Sequence, residues 1–198
     1  HADWTAARHP HRVNLLREWA MMIRGELRQS YREVPRPVVA LGVDYPDGNV
    51  IAAHYHNRYQ LLYGSTGAVM VATPEGAWMM PPQRGMWIPA GTVHEVQMLG
   101  DVRMRSLYLE PGAVAGMPDR CQVVGISALM RGLLADAVTV PATYDVEGRD
   151  GALMALILHE IRLLPPLPLS LPLPLDGALA RRCRAFLADP TPHDTIDD

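Results

Sequence analysis

The middle of the chain alternates short apolar stretches with turn residues. Turns rich in proline, glycine and aspartate, such as 44–49 (DYPDGN) and 74–76 (PEG), separate the stretches. Many short strands at near-regular spacing are typical of an all-β sandwich or barrel. The pattern predicts a β-domain over residues 35–113, with strands at 38–43, 50–56, 59–63, 68–73, 77–80, 85–89, 93–98 and 102–109.

The pattern before this β region has the period of a helix. Apolar residues between Leu15 and Leu27 recur at steps of three and four, which predicts a helical extension over residues 1–34. Met21 and Met22 leave open that the natural protein starts there, in which case residues 1–20 are not native.

After the β region the helical period returns. It predicts a helical segment over 114–164, with helices near 126–134 and 153–164. The second helix is apolar on more than one face, so we expect it to pack between the barrel and a second subunit. The segment is therefore predicted to make a homodimer.

The last part of the chain changes composition. Residues 165–175 alternate leucine and proline, which favours polyproline II and predicts a semi-rigid linker. Beyond it, residues 176–198 hold one helical pattern and the N-cap signature of another. We expect the sequence to stop inside a further domain.

Composition restricts the class of protein. The 198 residues are 48% hydrophobic and carry a net charge of −3, so these residues lack the basic signature of a nucleic-acid binder. Cys121 and Cys183 lack CxxC spacing, which favours a reducing compartment over a disulfide framework. No apolar run is long enough for a bilayer and no signal peptide is evident. We expect a soluble cytoplasmic protein with no membrane partner.

Three histidines are the candidate metal ligands of the sequence. His54 and His56 stand two apart in a predicted strand, so both imidazoles point to one face. His94 follows in a distant predicted strand and would supply a third ligand to a tetrahedral metal site. The alternative is an empty barrel in which these side chains are only hydrogen-bonded.

Two segments around the histidines resemble the cupin motifs, HYHNRYQLLYGSTG and GMWIPAGTVHEV. The resemblance places His54, His56 and His94 on the cupin metal-ligand positions. It places Gln60 where many cupins carry a glutamate, and an amide is a weaker ligand than a carboxylate. The implied cofactor is a divalent transition metal such as Zn, Ni, Cu or Fe.

The ordered series QLLY, PPQRGMWIPAGTVHEV, VRMRSLYLEP, RDGALMALILHEI and the Leu-Pro linker resembles AraC-type transcription regulators. The resemblance implies a mainly β fold: a cupin-like double-stranded β-barrel (jelly roll) followed by α-helices. In that family a pair of helix-turn-helix units follows the linker. Promoter DNA would be read only by residues beyond Asp198, so no DNA-binding residue is assigned in this sequence.

The mouth of a barrel is a natural place for a small-molecule effector. Residues of the β region predicted to line such a pocket are Tyr59, Tyr63, Trp78, Trp87, Arg103, Arg105 and Tyr108. The two arginines suit an anionic effector, or else they form a solvated or salt-bridged rim.

Three functions remain open. The favoured one is a sensor whose effector or metal changes how the helices hold an attached DNA-binding domain. The second is a metal-dependent cupin enzyme, of the dioxygenase or isomerase class. A non-haem iron oxygenase typically uses two histidines and a carboxylate, and Gln60 stands at the carboxylate position. The third is a metal-free interaction module.

Overall fold

A computed structural model describes residues 34–168 and Arg182. Within this range the chain forms ten strands and two α-helices. The strands are β1 (Val38–Tyr45), β2 (Val50–His54), β3 (Tyr59–Gly64), β4 (Ala68–Thr73), β5 (Gly76–Met80), β6 (Arg84–Ile88), β7 (His94–Leu99), β8 (Val102–Leu109), β9 (Gln122–Gly125) and β10 (Pro166–Leu167). The helices are α1 (Ala128–Ala137) and α2 (Arg149–Glu160), and a 3-10 turn (Ile161–Leu163) follows α2.

The strands form two antiparallel sheets. One has the order β1-β8-β3-β6-β9-β10 and the other the order β2-β7-β4-β5. Apolar side chains from both sheets meet in an inner core, which includes Leu62, Met86, Val96 and Met104. The predicted arrangement of a β-barrel followed by α-helices is therefore observed.

The six-stranded sheet is buried on its second face as well. An outer core lies between this sheet and the helices, and it includes Leu61, Trp87, Leu107, Leu134 and Ile157. Successive residues of a strand point to opposite faces, so neighbours such as Leu61 and Leu62 enter different cores. This explains why β3 and β6 are almost continuously buried.

Local sequence explains where the helices begin. Ser127 caps α1, since its hydroxyl accepts a 3.0 Å hydrogen bond from the Met130 N–H. Gly151, in the first turn of α2, lies so close to the Val146 backbone that a β-carbon would overlap it. The predicted helices near 126–134 and 153–164 thus correspond to α1 and α2.

Three features differ from the predicted elements. The strand expected to reach residue 56 ends at His54, and the segment expected to be helical over 114–164 contains β9 before its first helix. Pro166 and Leu167, expected in the linker, pair with Val124 and Val123 as an edge strand. Proline is tolerated there because an edge strand can leave one backbone side unpaired.

Several predictions lie outside the described residues. They are the helix within residues 1–33, the linker beyond residue 168 and the helical pattern of 176–198 apart from Arg182. Among the helices that are described, none has the length and apolar character needed to cross a bilayer.

Candidate functional site

Three histidines meet at one end of the inner core. His54 at the end of β2 is the cross-strand partner of His94 at the start of β7. The ring centroids of His54 and His94 lie 4.4 Å apart, and those of His54 and His56 lie 4.8 Å apart. One ring nitrogen from each of the three lies within 4.8 Å of the others. The structure therefore brings the predicted ligands together.

A bulge in β2 turns His54 inward. Ile51 pairs with Val96, and His54 pairs with His94. The two pairs are three residues apart along β2 but only two residues apart along β7, so β2 contains one extra residue. Without the extra residue, His54 would point away from the face that Ile51 shares with the inner core. His56 lies in the segment after β2, so the His-x-His pair converges through a bulge and a turn, whereas a regular strand was predicted.

Two backbone carbonyls select the tautomer of two imidazoles. Nδ1 of His54 lies 2.8 Å from the Ala52 carbonyl oxygen, and Nδ1 of His94 lies 2.8 Å from that of Thr92. A carbonyl only accepts, so each Nδ1 donates its proton and a neutral ring keeps a lone pair on Nε2. Metal-ligating histidines are oriented in this way, by donating the other ring N–H to a backbone carbonyl.

Two rings of the cluster are buried. His94 is 1% exposed and His56 is 8% exposed, and the Nε2 atoms of both are buried. His54 is half-buried. The cluster is therefore largely shielded from water.

Gln60 on β3 continues the polar surface beside the histidines. Its Nε2 donates to Ser106 Oγ at 3.3 Å and to Tyr108 Oη at 3.4 Å. The Tyr108 ring meets His56 edge-on, with centroids 5.0 Å apart. Gln60 Oε1 is buried with no hydrogen-bond partner among the described residues. Such an atom costs about 1–3 kcal/mol when left unsatisfied, which is a reason to expect a ligand near it.

The donor set fits a transition metal. Tetrahedral zinc has Zn–N distances of about 2.0–2.1 Å, which places ligand nitrogens about 3.3 Å apart. The ligand nitrogens of the three histidines lie within 4.8 Å of one another, so small side-chain rotations would bring them to the spacing that zinc requires. In the described part of the chain the group contains histidines alone, and Glu95 is exposed beside His94. Three imidazoles suit Zn, Ni, Cu or Fe.

The residues predicted to line an effector pocket lie on different faces of the barrel. Trp78 belongs to the inner core, and Tyr108 lies beside the histidines. Tyr59, Tyr63 and Trp87 contact the outer core. The seven residues therefore do not share one space, because neighbouring strand positions alternate between the faces.

The three aromatic residues at the outer core, Tyr59, Tyr63 and Trp87, have contacts that explain their burial. Tyr59 stacks on Trp87 with centroids 5.1 Å apart, and Trp87 Nε1 donates to the Pro118 carbonyl at 2.9 Å. Burial raises the pKa of Tyr63, and the nearby positive charge of Arg131 opposes this shift. These rings pack the sheet against its covering segments.

The two arginines of β8 lie outside the barrel. Arg103 is exposed, and Arg105 binds Asp44 with an N–O distance of 2.8 Å. This geometry agrees with the salt-bridged rim that the sequence left open for Arg105.

Sequence reasoning missed two buried polar residues. Ser106 is 3% exposed, and the alternation of VRMRSLYL places it on the same face as Tyr108. The alternation in the sequence therefore indicated that Ser106 lies beside Tyr108. Arg58 is 4% exposed and pairs with Glu110 at 2.9 Å. Its partner lies far along the chain, so no local pattern pointed to the pair.

Residues 36–166 match the sequence profile of the AraC-like ligand binding domain. The chain belongs to this family. The predicted resemblance to AraC-type regulators is thereby confirmed, and so is the cupin-like fold class, which the two antiparallel sheets already display. The described residues form a ligand-binding domain of a regulator family.

One similar protein is the HTH-type transcriptional regulator NimR of Escherichia coli (strain K12). The two are 32% identical over 119 residues, which cover 60% of this chain and 43% of NimR. The chain thus spans less than half the length of that regulator.

The comparison with solved structures gives matches of low sequence identity and low TM-score. ToxT from Vibrio cholerae O395 is 8% identical with a TM-score of 0.49, over 82% of this chain and 70% of ToxT. A cupin superfamily protein from Desulfitobacterium hafniense DCB-2 is 14% identical with a TM-score of 0.34, over 37% of this chain and 78% of that protein.

Proposed function

We propose that this domain is the sensing part of an AraC-type transcription regulator, and that His54, His56 and His94 bind a divalent transition metal. The observation that carries the proposal is the orientation of the rings. The Nδ1–H groups of His54 and His94 are held by backbone carbonyls, which orients each ring to coordinate a metal through Nε2. A bound metal would supply a Lewis-acid anchor for an oxygen or nitrogen atom of a small effector.

Gln60 and Tyr108 would select that effector. The buried Gln60 Oε1 has no hydrogen-bond partner among the described residues, so it would accept a hydrogen bond from the effector, and the Tyr108 ring forms an aromatic wall beside His56. An effector with both a metal-binding atom and a hydrogen-bond donor fits these groups. The class of effector is therefore a small polar molecule, or the metal itself.

The six-stranded sheet offers a route from this site to the helices. Gln60 faces the inner side, whereas its neighbour Leu61 packs in the outer core with Leu134 and Ile157. A change in how β3 holds Gln60 would alter the contacts of Leu61 with the helices. An effector shifts such an equilibrium only if it binds the two arrangements with different affinities.

The proposal includes a homodimer and a DNA partner. Leu156 of α2 is 40% exposed and Leu163 just after it is 72% exposed, which suits a second copy packing on this helix. A symmetric dimer matches two DNA half-sites. Contact with promoter DNA is assigned to residues outside those described, by analogy with the helix-turn-helix regulator NimR.

We favour a regulator over a cupin enzyme. An enzyme would require turnover by the barrel alone. The match to a regulator family supports the non-enzymatic function.

Metal analysis tests the proposal. The protein is purified without a metal-affinity column, and its metal is measured by inductively coupled plasma mass spectrometry. We expect near-stoichiometric Zn, Ni, Cu or Fe in the wild type and a large loss in His54→Ala and His94→Ala. His159→Ala is the matched control, because His159 is exposed on α2 and lies outside the cluster. Absence of metal from the wild type, after reconstitution as well, would overturn the metal assignment.

A further inference from the structure

Arg58 is a buried cation close in sequence to the candidate metal centre. It follows His56 by two residues, in the segment that joins β2 to β3, and its side chain is 4% exposed. Its guanidinium donates to the Arg36 carbonyl at 2.9 Å and pairs with the Glu110 carboxylate at 2.9 Å. A buried charge is costly unless it is paired and hydrogen-bonded. These contacts therefore hold the end of the segment that carries His56.

The side chain of Arg36 extends these contacts to the helical part of the domain. Arg36 Nε donates to the Tyr144 carbonyl at 2.7 Å, and the guanidinium carbon lies 5.4 Å from the centroid of the Tyr144 ring, a cation–π distance. Tyr144 is 4% exposed, and its hydroxyl donates to the Val38 carbonyl at 3.1 Å. Arg58, Arg36 and Tyr144, here called the arginine link, thus join the His56 segment to residues 138–148, the connector between α1 and α2.

The connector determines where α2 begins. The carbonyl of Asp145, which follows Tyr144, accepts hydrogen bonds from the Gly148 N–H at 3.3 Å and the Gly151 N–H at 3.1 Å. The Val146 backbone lies so close to Gly151 that a β-carbon there would overlap it. A displacement of Tyr144 would therefore be passed to the first turn of α2.

Metal binding would act on the other end of the arginine link. The ligand nitrogens lie within 4.8 Å of one another, whereas tetrahedral zinc requires about 3.3 Å. His54 and His94 belong to strands, but His56 lies in the segment after β2, so this segment adjusts more easily than the sheet. Arg58 is two residues further on. A metal should therefore bind with different affinities to arrangements that differ in the position of Arg58.

We infer, on the basis of the metal site proposed above, that Arg58 is a positioning residue that couples metal binding at His56 to the connector through Arg36 and Tyr144. A bound metal fixes the His56 segment, and the arginine link then fixes the connector and the first turn of α2. This route consists of polar contacts near the start of β1. It is separate from the apolar route through Leu61 on β3.

Hydrogen exchange of the full 198-residue chain, with zinc and with a chelator, tests the coupling. In the wild type, zinc should slow exchange of the peptide that contains residues 138–148 by about tenfold. Arg36→Ala removes the middle of the arginine link but retains the Arg36 carbonyl and Glu110 as partners of Arg58. This variant should still bind zinc, and the slowing should fall below about threefold.

Arg131→Ala is the matched control. Arg131 is also a half-buried arginine that donates to a backbone carbonyl, that of Ile126 at 3.2 Å, but it lies on α1 outside the arginine link. It should retain the full slowing by zinc. Thermal unfolding checks that each variant folds, and Arg36→Gln, which keeps part of the apolar stem, replaces Arg36→Ala if that variant does not.

Zinc affinity, measured by competition with a chromogenic chelator, separates the coupling from the metal site itself. Zinc binding to the wild type without slower exchange in residues 138–148 would overturn the coupling and leave the metal site in place. Slowing that persists in Arg36→Ala, or that is lost equally in Arg131→Ala, would do the same. Absence of zinc binding in the wild type would overturn the metal site and the coupling together.

Discussion

The inner and outer faces of the six-stranded sheet are both buried, but their side chains differ in kind. Near the histidines the inner face carries Gln60, Ser106 and Tyr108, joined by hydrogen bonds of 3.3–3.4 Å. On the outer face, Leu61 and Leu107 are fully buried against the helices. One strand supplies both sets, because neighbouring positions face opposite ways. The comparison suggests that the outer face provides stability and that the inner face keeps polar groups for a ligand.

The largest expected effect is on the outer face. Leu134→Ala removes a fully buried side chain of α1 and should lower the free energy of unfolding by about 3 kcal/mol. Leu129→Ala, on the same helix but 51% exposed, should cost less than about 1 kcal/mol. Denaturant unfolding measures both. Equal losses in the two variants would mean that α1 does not pack as described.

The inner face should gain stability from metal. At a free zinc concentration of 100 times Kd, binding to the folded state alone adds about 2.7 kcal/mol to the free energy of unfolding. Calorimetric melting with zinc and with a chelator measures the gain, which His94→Ala should abolish and His159→Ala should keep. An equal gain in His94→Ala would place zinc elsewhere.

Gln60 sharpens the comparison, because it is a neutral residue at the position where the resemblance to cupins implies a glutamate. Gln60→Glu should raise zinc affinity about tenfold, since a carboxylate adds charge and a stronger oxygen ligand. Without metal the same variant should lose about 1–3 kcal/mol of stability, because it buries a charge. Gln60→Leu is the control that removes the oxygen. Competition with a chromogenic chelator gives the zinc affinities. An unchanged zinc affinity in Gln60→Glu would show that residue 60 does not contact the metal.

The ion pair on the surface of the barrel should contribute least to the free energy of unfolding. The Arg105–Asp44 ion pair is 2.8 Å long, but its side chains are 23% and 65% exposed. A double-mutant cycle with Arg105→Ala and Asp44→Ala should give a coupling energy below about 1 kcal/mol. A coupling well above that value would show that the outside of β8 contributes to stability as the packed faces do.

Much of the barrel could be predicted because its signals are local. The alternation of Val102, Arg103, Met104 and Arg105 specifies both the strand and the faces of its side chains. The turn at 74–76 joins β4 and β5 as a hairpin, and the turn at 44–49 joins β1 to β2 of the other sheet. The three histidines could be grouped from their motifs alone.

The remaining features depend on distant pairing. β9 is only four residues long, and it is a strand because Met86 and Trp87 of β6 pair with it. Pro166 belongs to the sheet because Val124 lies beside it, which no leucine-proline pattern indicates. The bulge before His54 likewise arises from its register against β7. The division of the aromatic residues between two cores follows from the same long-range contacts.

X-ray absorption spectroscopy of the zinc-loaded protein tests the central claim most directly. The three-histidine site predicts a first shell of nitrogen and oxygen at about 2.0–2.1 Å, with the outer-shell scattering of three imidazoles. One imidazole should be lost in His54→Ala. A shell containing sulfur at about 2.3 Å, or a spectrum unchanged in His54→Ala, would contradict a metal centre formed by His54, His56 and His94.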